Sequence, residues 1–252
     1  MSAEYRNDSR PASAVGRADR GASRLRVATT LPAHITEVRA FDDVTRVTVE
    51  MTDLPTAMVE GIAATGYAII PDAVGPDPVT ALRDRALALD ACGEFVAAGI
   101  GRGASRTARS DIRGDRIRWL DEAHPAAAEV IVWRMVDALR DALNRNLLLG
   151  VWSFEGHYAL YPPGARYARH RDRFRDDDAR VVSCILYLNE QWRVEDGGAL
   201  RLYTDDGHVV EVMPQGGTMV AFLAERFDHE VLAATRTRLA LTGWFRRREF
   251  EM

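Results

Sequence analysis

A charged stretch in the second half of the chain places a histidine and an aspartate two residues apart. The segment "ARYARHRDRFRDDDARVV", residues 165–182, holds six arginines and four aspartates around His170 and Asp172. On an extended segment, side chains at i and i+2 point to the same face. Another histidine, His229, begins the apolar segment "HEVLAA". Two imidazoles and one carboxylate can hold Fe(II) on one face of an octahedron and leave three positions open for reactants.

The last apolar segment, "TRLALTGWF", is a predicted strand that contains an arginine. Strand alternation puts one set of side chains on one face (Arg238, Ala240, Thr242, Trp244) and another set on the opposite face (Leu239, Leu241, Phe245). An arginine on a core face requires a partner, which a dicarboxylic acid entering a barrel would supply. Two simpler interpretations stay open for Arg238, namely pairing with a core Asp or Glu, or a place on an edge strand. For His170 and Asp172, the simpler interpretation is a solvated turn.

The elements that would position these residues begin after an N-terminal extension. Residues 1 to about 26 are polar, charged and poor in large apolar side chains, so the extension at residues 1–50 is expected to be partly disordered. Residues 34–51 alternate as a strand or hairpin would. The segment that follows, from Met51 or Met58, looks like the natural opening of a domain, and we place one domain at residues 51–252.

Helices are expected first in this domain. A strand is predicted at residues 67–70, then a helix over "DPVTALRDRALALDAC" with Asp77 as its N-cap and Pro78 at the first helical position. Its apolar stripe comprises Val79, Leu82, Ala86 and Leu89. A functional loop is predicted at residues 99–111. A longer helix is predicted over "HPAAAEVIVWRMVDALRDALNRNLLLG", ending at Gly150.

From Trp152 onward, short β-type segments alternate with turns. The predicted strands are "SFEGHYALY", "RVVSCILYLN", "GALRLYT", "HVVEVMP", "GTMVAFLA", "DHEVLAA" and "TRLALTGWF". Strands at this spacing favour a sandwich or barrel. The predicted fold class is α+β, with N-terminal helices that support an antiparallel β barrel or jelly roll at about residues 152–246.

Composition excludes several kinds of function. The net charge of −4 argues against a dedicated nucleic-acid binder. All 33 basic residues are arginines, which excludes a lysine nucleophile, a Schiff base and a P-loop. Cys92 and Cys184 fit a reduced cytoplasm rather than a disulfide framework. No apolar run approaches the ~18 residues of a membrane helix, and the N-terminus lacks a secretory signal, so we expect a cytoplasmic protein that does not bind a membrane.

Several segments together resemble a known family. "YPPGARYARHRD", "CILYLNEQW", "GGALRLY", "DHEV" and "TRLALTGWF" are similar to the catalytic barrel of 2-oxoglutarate- and Fe(II)-dependent oxygenases. The resemblance is to the prolyl 4-hydroxylase branch, which includes the hypoxia-sensing prolyl hydroxylases and their bacterial relatives. "DIRGDRIRWL", residues 111–120, also matches that branch. The similarity extends over about residues 65–245, and it implies that the barrel is a double-stranded β-helix (jelly roll).

The resemblance implies a metal site and a cosubstrate site. His170, Asp172 and His229 would bind Fe(II). Arg238 would hold the far carboxylate of 2-oxoglutarate. The rest of the expected cosubstrate site comprises Tyr187, donating its hydroxyl to the same carboxylate, Thr242, supporting that end, and Tyr161, near the metal-chelating end. His157 receives no role.

The resemblance also places the substrate side. Trp244 would line it, and the loop at residues 99–111 would correspond to a mobile finger that closes over a peptide. The arginines of this loop, Arg102, Arg106 and Arg109, suggest an acidic substrate. One residue fewer separates Tyr161 from His170 than the family pattern has.

The implied activity is hydroxylation of a prolyl residue in a protein, with O2 as a second cosubstrate, succinate and CO2 as coproducts and L-ascorbate as a reductant. Translation-machinery proteins are the first substrate class to consider. Three alternatives stay open: hydroxylation of a small molecule such as a free amino acid, a non-catalytic sensor of 2-oxoglutarate or metal, and a nucleic-acid repair oxygenase, which the charge disfavours. The oligomeric state is not predicted.

Overall fold

The computed structural model describes residues 54–99, 112–172 and 179–248. Three predictions fall outside these residues: the extension at 1–50, the strand or hairpin at 34–51, and the loop up to residue 111 with its three arginines. The described residues contain both the predicted helices and the predicted barrel.

The helices are α1 (Leu54–Thr65), α2 (Pro76–Ala91) and α3 (Val130–Leu147). The predicted apolar stripe of α2 is confirmed, because Val79, Leu82, Ala86 and Leu89 are its buried residues. The predicted N-cap is wrong: Gly75 is the cap, and Asp77 lies inside the first turn. Pro76 takes the first helical position because its ring fixes φ at a helical value and it has no N–H to satisfy. No helix in the described part of the chain has the length and apolarity needed to cross a membrane.

The predicted long helix is shorter at both ends. Its first turn is a 3-10 turn at Ala127–Glu129, where the Glu129 carboxylate accepts a hydrogen bond from the Ala126 N–H at 3.0 Å. The helix ends at Leu147 rather than Gly150, because Leu148 adopts the left-handed conformation with φ +53° and caps it. The Asn144 side chain then bonds the backbone of Val151 and holds the chain that leaves the helix.

The strands form two antiparallel sheets. They are β1 (Tyr67–Ile70), β2 (Val96–Ala97), β3 (Arg116–Trp119), β4 (Ser153–Tyr161), β5 (Tyr167–His170), β6 (Arg180–Tyr187), β7 (Leu200–Tyr203), β8 (Val209–Val212), β9 (Met219–Leu223), β10 (Asp228–Val231) and β11 (Arg238–Arg246). The larger sheet has the order β1-β9-β6-β11-β4-β3-β2, and the smaller has β5-β10-β7-β8. Every strand predicted after residue 152 is present. β3 and β5 were not predicted as strands, because their arginines interrupt any apolar run.

The larger sheet has two covered faces. On one, α3 residues such as Met135 and Leu139 pack with Leu241 and Phe245 of β11. On the other, the inward side chains of β11 share an apolar cluster with residues of the smaller sheet, including Ala240 with Leu200. The predicted alternation of β11 is therefore confirmed, and so is the helix-supported jelly-roll barrel. The space between the two sheets is the interior in which the candidate site lies.

Candidate active site

The three candidate metal ligands converge between the sheets. His170 ends β5, Asp172 follows it, and His229 lies on β10 directly opposite His170. Nε2 of His170 is 3.5 Å from Oδ1 of Asp172, and Nε2 of His229 is 3.6 Å from Oδ2. One ligand atom from each residue lies within 4.8 Å of the other two. Two imidazoles and a carboxylate, with no thiolate among them, fit Fe(II) as a donor set.

Backbone and hydroxyl groups orient these ligands. Nδ1 of His170 lies 2.9 Å from the Ala168 carbonyl oxygen, and Nδ1 of His229 lies 3.4 Å from that of Phe227. Each Nδ1–H therefore donates to a carbonyl, which leaves the Nε2 lone pair toward Asp172. The Ser183 hydroxyl donates to Oδ2 of Asp172 at 2.7 Å.

The protonation states suit metal binding. Burial opposes ionisation of Asp172, but its electrostatic attraction to His229 and its contact with His170 hold the pKa of its carboxyl well below the usual range. Burial lowers the pKa of His229 to about 4, against the pull of the Asp172 carboxylate. At neutral pH these two ligands are a carboxylate and a neutral imidazole, so neither must lose a proton before it coordinates a cation.

A second polar group lies deeper in the barrel around Arg238, which is 2% exposed. Its Nε donates to the Gly198 carbonyl at 2.9 Å. Its Nη2 and the Tyr187 hydroxyl are both buried and have no hydrogen-bond partner within residues 54–99, 112–172 and 179–248. The guanidinium carbon lies 5.1 Å from the Tyr187 ring centre and 5.2 Å from that of Tyr161. Two unpartnered buried donors side by side are what a carboxylate of a diacid would satisfy.

The simpler interpretations of Arg238 do not hold. Among the described residues, no carboxylate forms an ion pair with it. β11 lies between β4 and β6, so Arg238 is on a central strand rather than an edge. Burial raises the pKa of Tyr187 to about 12, with Arg238 opposing, so its hydroxyl keeps its proton and stays a donor.

Thr242 and Trp244 follow Arg238 on the same face of β11 and line one cavity with it and the metal-ligand candidates. Tyr161 lines this cavity too. The Arg180 guanidinium carbon lies 3.6 Å from the Trp244 ring centre, and Arg180 donates to Glu155 at 2.8 Å. The indole of Trp244 therefore lies between the cavity that Asp172 lines and the Arg180–Glu155 ion pair.

The same cavity contains residues to which sequence reasoning assigned no role. His157, Tyr167 and Arg113 all line it. His157 lies opposite Thr242 in the β4–β11 pairing, four residues from Tyr161 on the same strand. Alternation along "HYALY" could have placed it in the barrel, since residues at even spacing share a face. His124 and His208 are exposed and do not line this cavity.

His157 leads to a prediction about pH and stability. Burial, with a contribution from Arg113, lowers its pKa from 6.5 to about 4. Between pH 6.5 and about pH 4, the unfolded chain therefore binds a proton at His157 that the folded protein does not bind. The free energy of unfolding consequently falls as the pH drops from about 6.5 towards 4. We expect His157 to account for up to about 3 kcal/mol of this loss.

Urea unfolding of the metal-free protein at neutral and mildly acidic pH measures this loss. The variant His157→Met has an apolar side chain of similar length that does not titrate. Its loss of unfolding free energy between neutral and mildly acidic pH should be smaller by about 3 kcal/mol. An identical pH dependence in both proteins would contradict the assignment of a lowered pKa to His157.

The segment that contains the candidate site is similar to known proteins. The model of the 2OG-Fe(II) oxygenase superfamily matches residues 156–246, which include all three candidate ligands and Arg238. A prolyl-4-hydroxylase crystal structure from Pseudomonas putida is 45% identical, covers 77% of this chain and 100% of that one, and has a TM-score of 0.70. A Trichoplax adhaerens prolyl hydroxylase, solved with a hypoxia inducible factor peptide, is 29% identical with a TM-score of 0.70, covering 78% of this chain and 90% of that one.

The curated relatives are longer proteins. Egl nine homolog 1 of Homo sapiens is 30% identical over 190 residues, which is 71% of this chain and 43% of that protein. The chain spans about half the length of the curated relatives it matches first. The match to the Pseudomonas structure covers the whole of that chain. This chain therefore belongs to the 2OG-Fe(II) oxygenase superfamily, in its prolyl hydroxylase branch.

Proposed function

We propose that this protein is a 2-oxoglutarate- and Fe(II)-dependent dioxygenase that hydroxylates a prolyl residue of a protein substrate and forms succinate and CO2. The observation that carries the proposal is one cavity lined both by His170, Asp172 and His229 and by Arg238. The two imidazoles and the carboxylate offer ligand atoms within 4.8 Å of one another. Deeper in the barrel, Nη2 of Arg238 and the hydroxyl of Tyr187 are buried donors with no partner among the described residues.

In this proposal the metal ligands are His170, Asp172 and His229. Their Nδ1–H and Ser183 contacts hold the donor atoms in place before the cation arrives, so little reorganisation is needed. When bound, Fe(II) and 2-oxoglutarate together reduce O2 and supply the oxidant that inserts one oxygen atom into a C–H bond. All later contributions of the chain are binding, orientation and exclusion of water.

Arg238 and Tyr187 would fix the cosubstrate. The guanidinium would pair with the far carboxylate, and the Tyr187 hydroxyl would donate to the same group, with Thr242 beside them. Tyr161 would lie along the cosubstrate towards its metal-chelating end. Because Arg238 and Tyr187 are 2% and 0% exposed, this charge pair would form where water does not compete.

The substrate would approach on the Trp244 side. Trp244 lies over the cavity near Asp172, and its stacking with Arg180 holds the ring in one plane. A prolyl side chain is apolar, so an indole face is a suitable wall for it. L-ascorbate would keep the iron reduced, and a cytoplasmic location fits the free thiols Cys92 and Cys184.

The choice of a protein substrate is supported by the relatives. The Trichoplax enzyme was solved with a hypoxia inducible factor peptide fragment, and some of the matched curated proteins, such as one from Mus musculus, are named prolyl hydroxylases. Translation-machinery proteins are the first substrates to test, by family analogy alone.

A proteomic comparison tests the proposed function. Cells that contain the protein should have at least one protein in which a proline gains the mass of one oxygen atom. Cells that lack the gene, or that carry only the Asp172→Asn variant, should lack this modification. Purified protein with Fe(II), 2-oxoglutarate and O2 should also release succinate. If no peptide changes while a metabolite gains an oxygen atom, a small molecule is the substrate, and if succinate never forms, the protein is a sensor.

A further inference from the structure

An aromatic ring lies flat against one of the candidate metal ligands. The ring centres of Tyr167 and His170 are 3.6 Å apart, and their planes differ by only 15°. On the far side of Tyr167, the Arg113 guanidinium carbon lies 4.7 Å from the ring centre. The other face of His170 meets His229 at 4.2 Å and a tilt of 53°. His170 is therefore enclosed on both sides within the cavity.

This stack exists because β5 is irregular. His170 is opposite His229 and Tyr167 is opposite Val231, so three steps along β5 match two steps along β10. On a regular strand, residues three apart point to opposite faces. The extra residue is a β-bulge, which re-aims side chains, and Tyr167 and His170 consequently both line the cavity. The Ala168 carbonyl, within the bulge, accepts the His170 Nδ1–H.

The segment at residues 112–115 holds this bulge from outside. The Ala168 N–H donates to the Ile112 carbonyl at 2.8 Å, and the Gly114 N–H donates to the Arg166 carbonyl at 2.9 Å. The backbone of "IRGD" thus pairs with β5 on both sides of Tyr167. A side chain at Gly114 would bring a Cβ within 3.1 Å of the Ala165 Cβ, so the two segments approach too closely for most residues.

A buried ion pair keeps Arg113 in place over Tyr167. Arg113 donates through Nε and Nη2 to the two carboxylate oxygens of Asp115, at 2.7 and 2.9 Å. Asp115 is 2% exposed, and its backbone carbonyl accepts the Ala98 N–H at 3.0 Å. Burial works against the charge on Arg113, but the hydrogen bonds and charge of Asp115 raise its pKa above the usual value. A two-point ion pair gives the guanidinium one orientation.

We propose that Tyr167, held by the Arg113–Asp115 pair, is a positioning residue that fixes the plane of the His170 imidazole for metal binding. This inference rests on the proposed function, because it assumes that His170 is a metal ligand. An imidazole binds a metal through a lone pair in the plane of its ring, so rotation about its last side-chain torsion misdirects that lone pair. This torsion is broad in histidine. The single Nδ1–H bond to Ala168 leaves the ring free to tilt about that bond, and the flat contact with Tyr167 removes this freedom.

Titration with Mn²⁺, followed by electron paramagnetic resonance, tests the proposal without any turnover. Mn²⁺ takes the same ligand types as Fe(II) and is stable in air. We expect Tyr167→Leu to weaken Mn²⁺ binding by about 10- to 100-fold, the range seen when residues supporting a metal ligand are lost. Tyr167→Phe keeps the ring and should bind within about threefold of the unmodified protein, well below the loss that a missing support produces.

The matched control is Tyr203→Leu. Tyr203 lies on β7 of the same sheet and also packs under an arginine, with the Arg169 guanidinium carbon 3.8 Å from its ring centre. It is absent from the cavity lining. The same chemical change there should lower the melting temperature comparably and leave Mn²⁺ affinity unchanged.

Arg113→Met provides a second test that leaves the Tyr167 ring in place. It should weaken Mn²⁺ binding less than Tyr167→Leu does but measurably, and this result stands even if Tyr167→Leu does not fold. Full Mn²⁺ affinity in folded Tyr167→Leu, or in Arg113→Met where the leucine variant is unfolded, would overturn this inference alone. Failure of the unmodified protein to bind Mn²⁺ would overturn the proposed function and this inference with it.

Discussion

Replacing Arg238 by methionine is expected to weaken 2-oxoglutarate binding by roughly 10²- to 10⁴-fold and to leave Mn²⁺ binding nearly unchanged. The guanidinium is 2% exposed, and its Nη2 has no partner among the described residues. A carboxylate brought to this position without the cation would be buried and unpaired, which costs about 3–5 kcal/mol. Arg113, which also lines the cavity, cannot replace it, because both oxygens of Asp115 already occupy its guanidinium.

Calorimetric titration of 2-oxoglutarate into the Mn²⁺-loaded protein measures this effect. The control is Arg236→Met, two residues earlier, where the side chain is 42% exposed and pairs with Asp196; its affinity should stay at the level of the unmodified protein. Arg238→Lys retains the charge but loses the planar fork, so an intermediate affinity is expected. Unchanged 2-oxoglutarate affinity in Arg238→Met, or a parallel loss of Mn²⁺, would show that Arg238 does not bind the cosubstrate.

Replacing Asp172 by asparagine is expected to weaken Mn²⁺ binding by more than roughly 100-fold, beyond what loss of a supporting residue produces. Asp172 supplies the only carboxylate of the cluster. Asparagine has the same shape and can still accept the Ser183 hydrogen bond, so the local fold should persist. Hydroxylation and succinate release should fall below detection, since the cation cannot be held by two imidazoles alone.

Two further variants serve as controls for Asp172→Asn. Asp206→Asn makes the same chemical change on a loop where the side chain is 69% exposed, and it should leave Mn²⁺ affinity unaltered. Ser183→Ala removes a hydrogen bond to Asp172 rather than a ligand, so a loss of about tenfold is expected. An Asp172→Asn protein that binds Mn²⁺ as tightly as the unmodified one would remove the basis for the iron site.

The larger sheet was predictable because strand alternation is a local property. In "TRLALTGWF", small and polar residues alternate with large apolar ones, and the structure turns Arg238 and Trp244 inward and Leu239 and Phe245 towards the helices. The apolar stripe on α2 was predictable for the same reason, because helical periodicity is also a local property. Helix ends were less predictable, because the start of α2 at Pro76 depends on how the chain enters that helix, and the end of α3 at the left-handed Leu148 depends on how the chain leaves it.

The convergence of the metal-ligand candidates depends on tertiary structure. His170 and His229 are far apart along the chain, and nothing in their spacing relates one to the other. The pairing of β5 with β10 brings them face to face. The family resemblance, which rests on several segments together, predicted that the three residues bind one metal ion. The two-residue spacing of His170 and Asp172 alone is also what a solvated turn would show.

By itself, the amino-acid sequence determined the kinds of groups available: arginine as the sole basic side chain, two imidazoles and a carboxylate for a cation, and alternating strands to enclose them. Only the tertiary structure decided that Tyr167 and Arg113 share the cavity with these groups. The bulge in β5 brings Tyr167 onto His170, and this depends on strand pairing with residues 112–115 and β10. The local sequence determines on which face of a strand or helix a side chain lies. Contacts between segments distant along the chain determine which residues that face packs against.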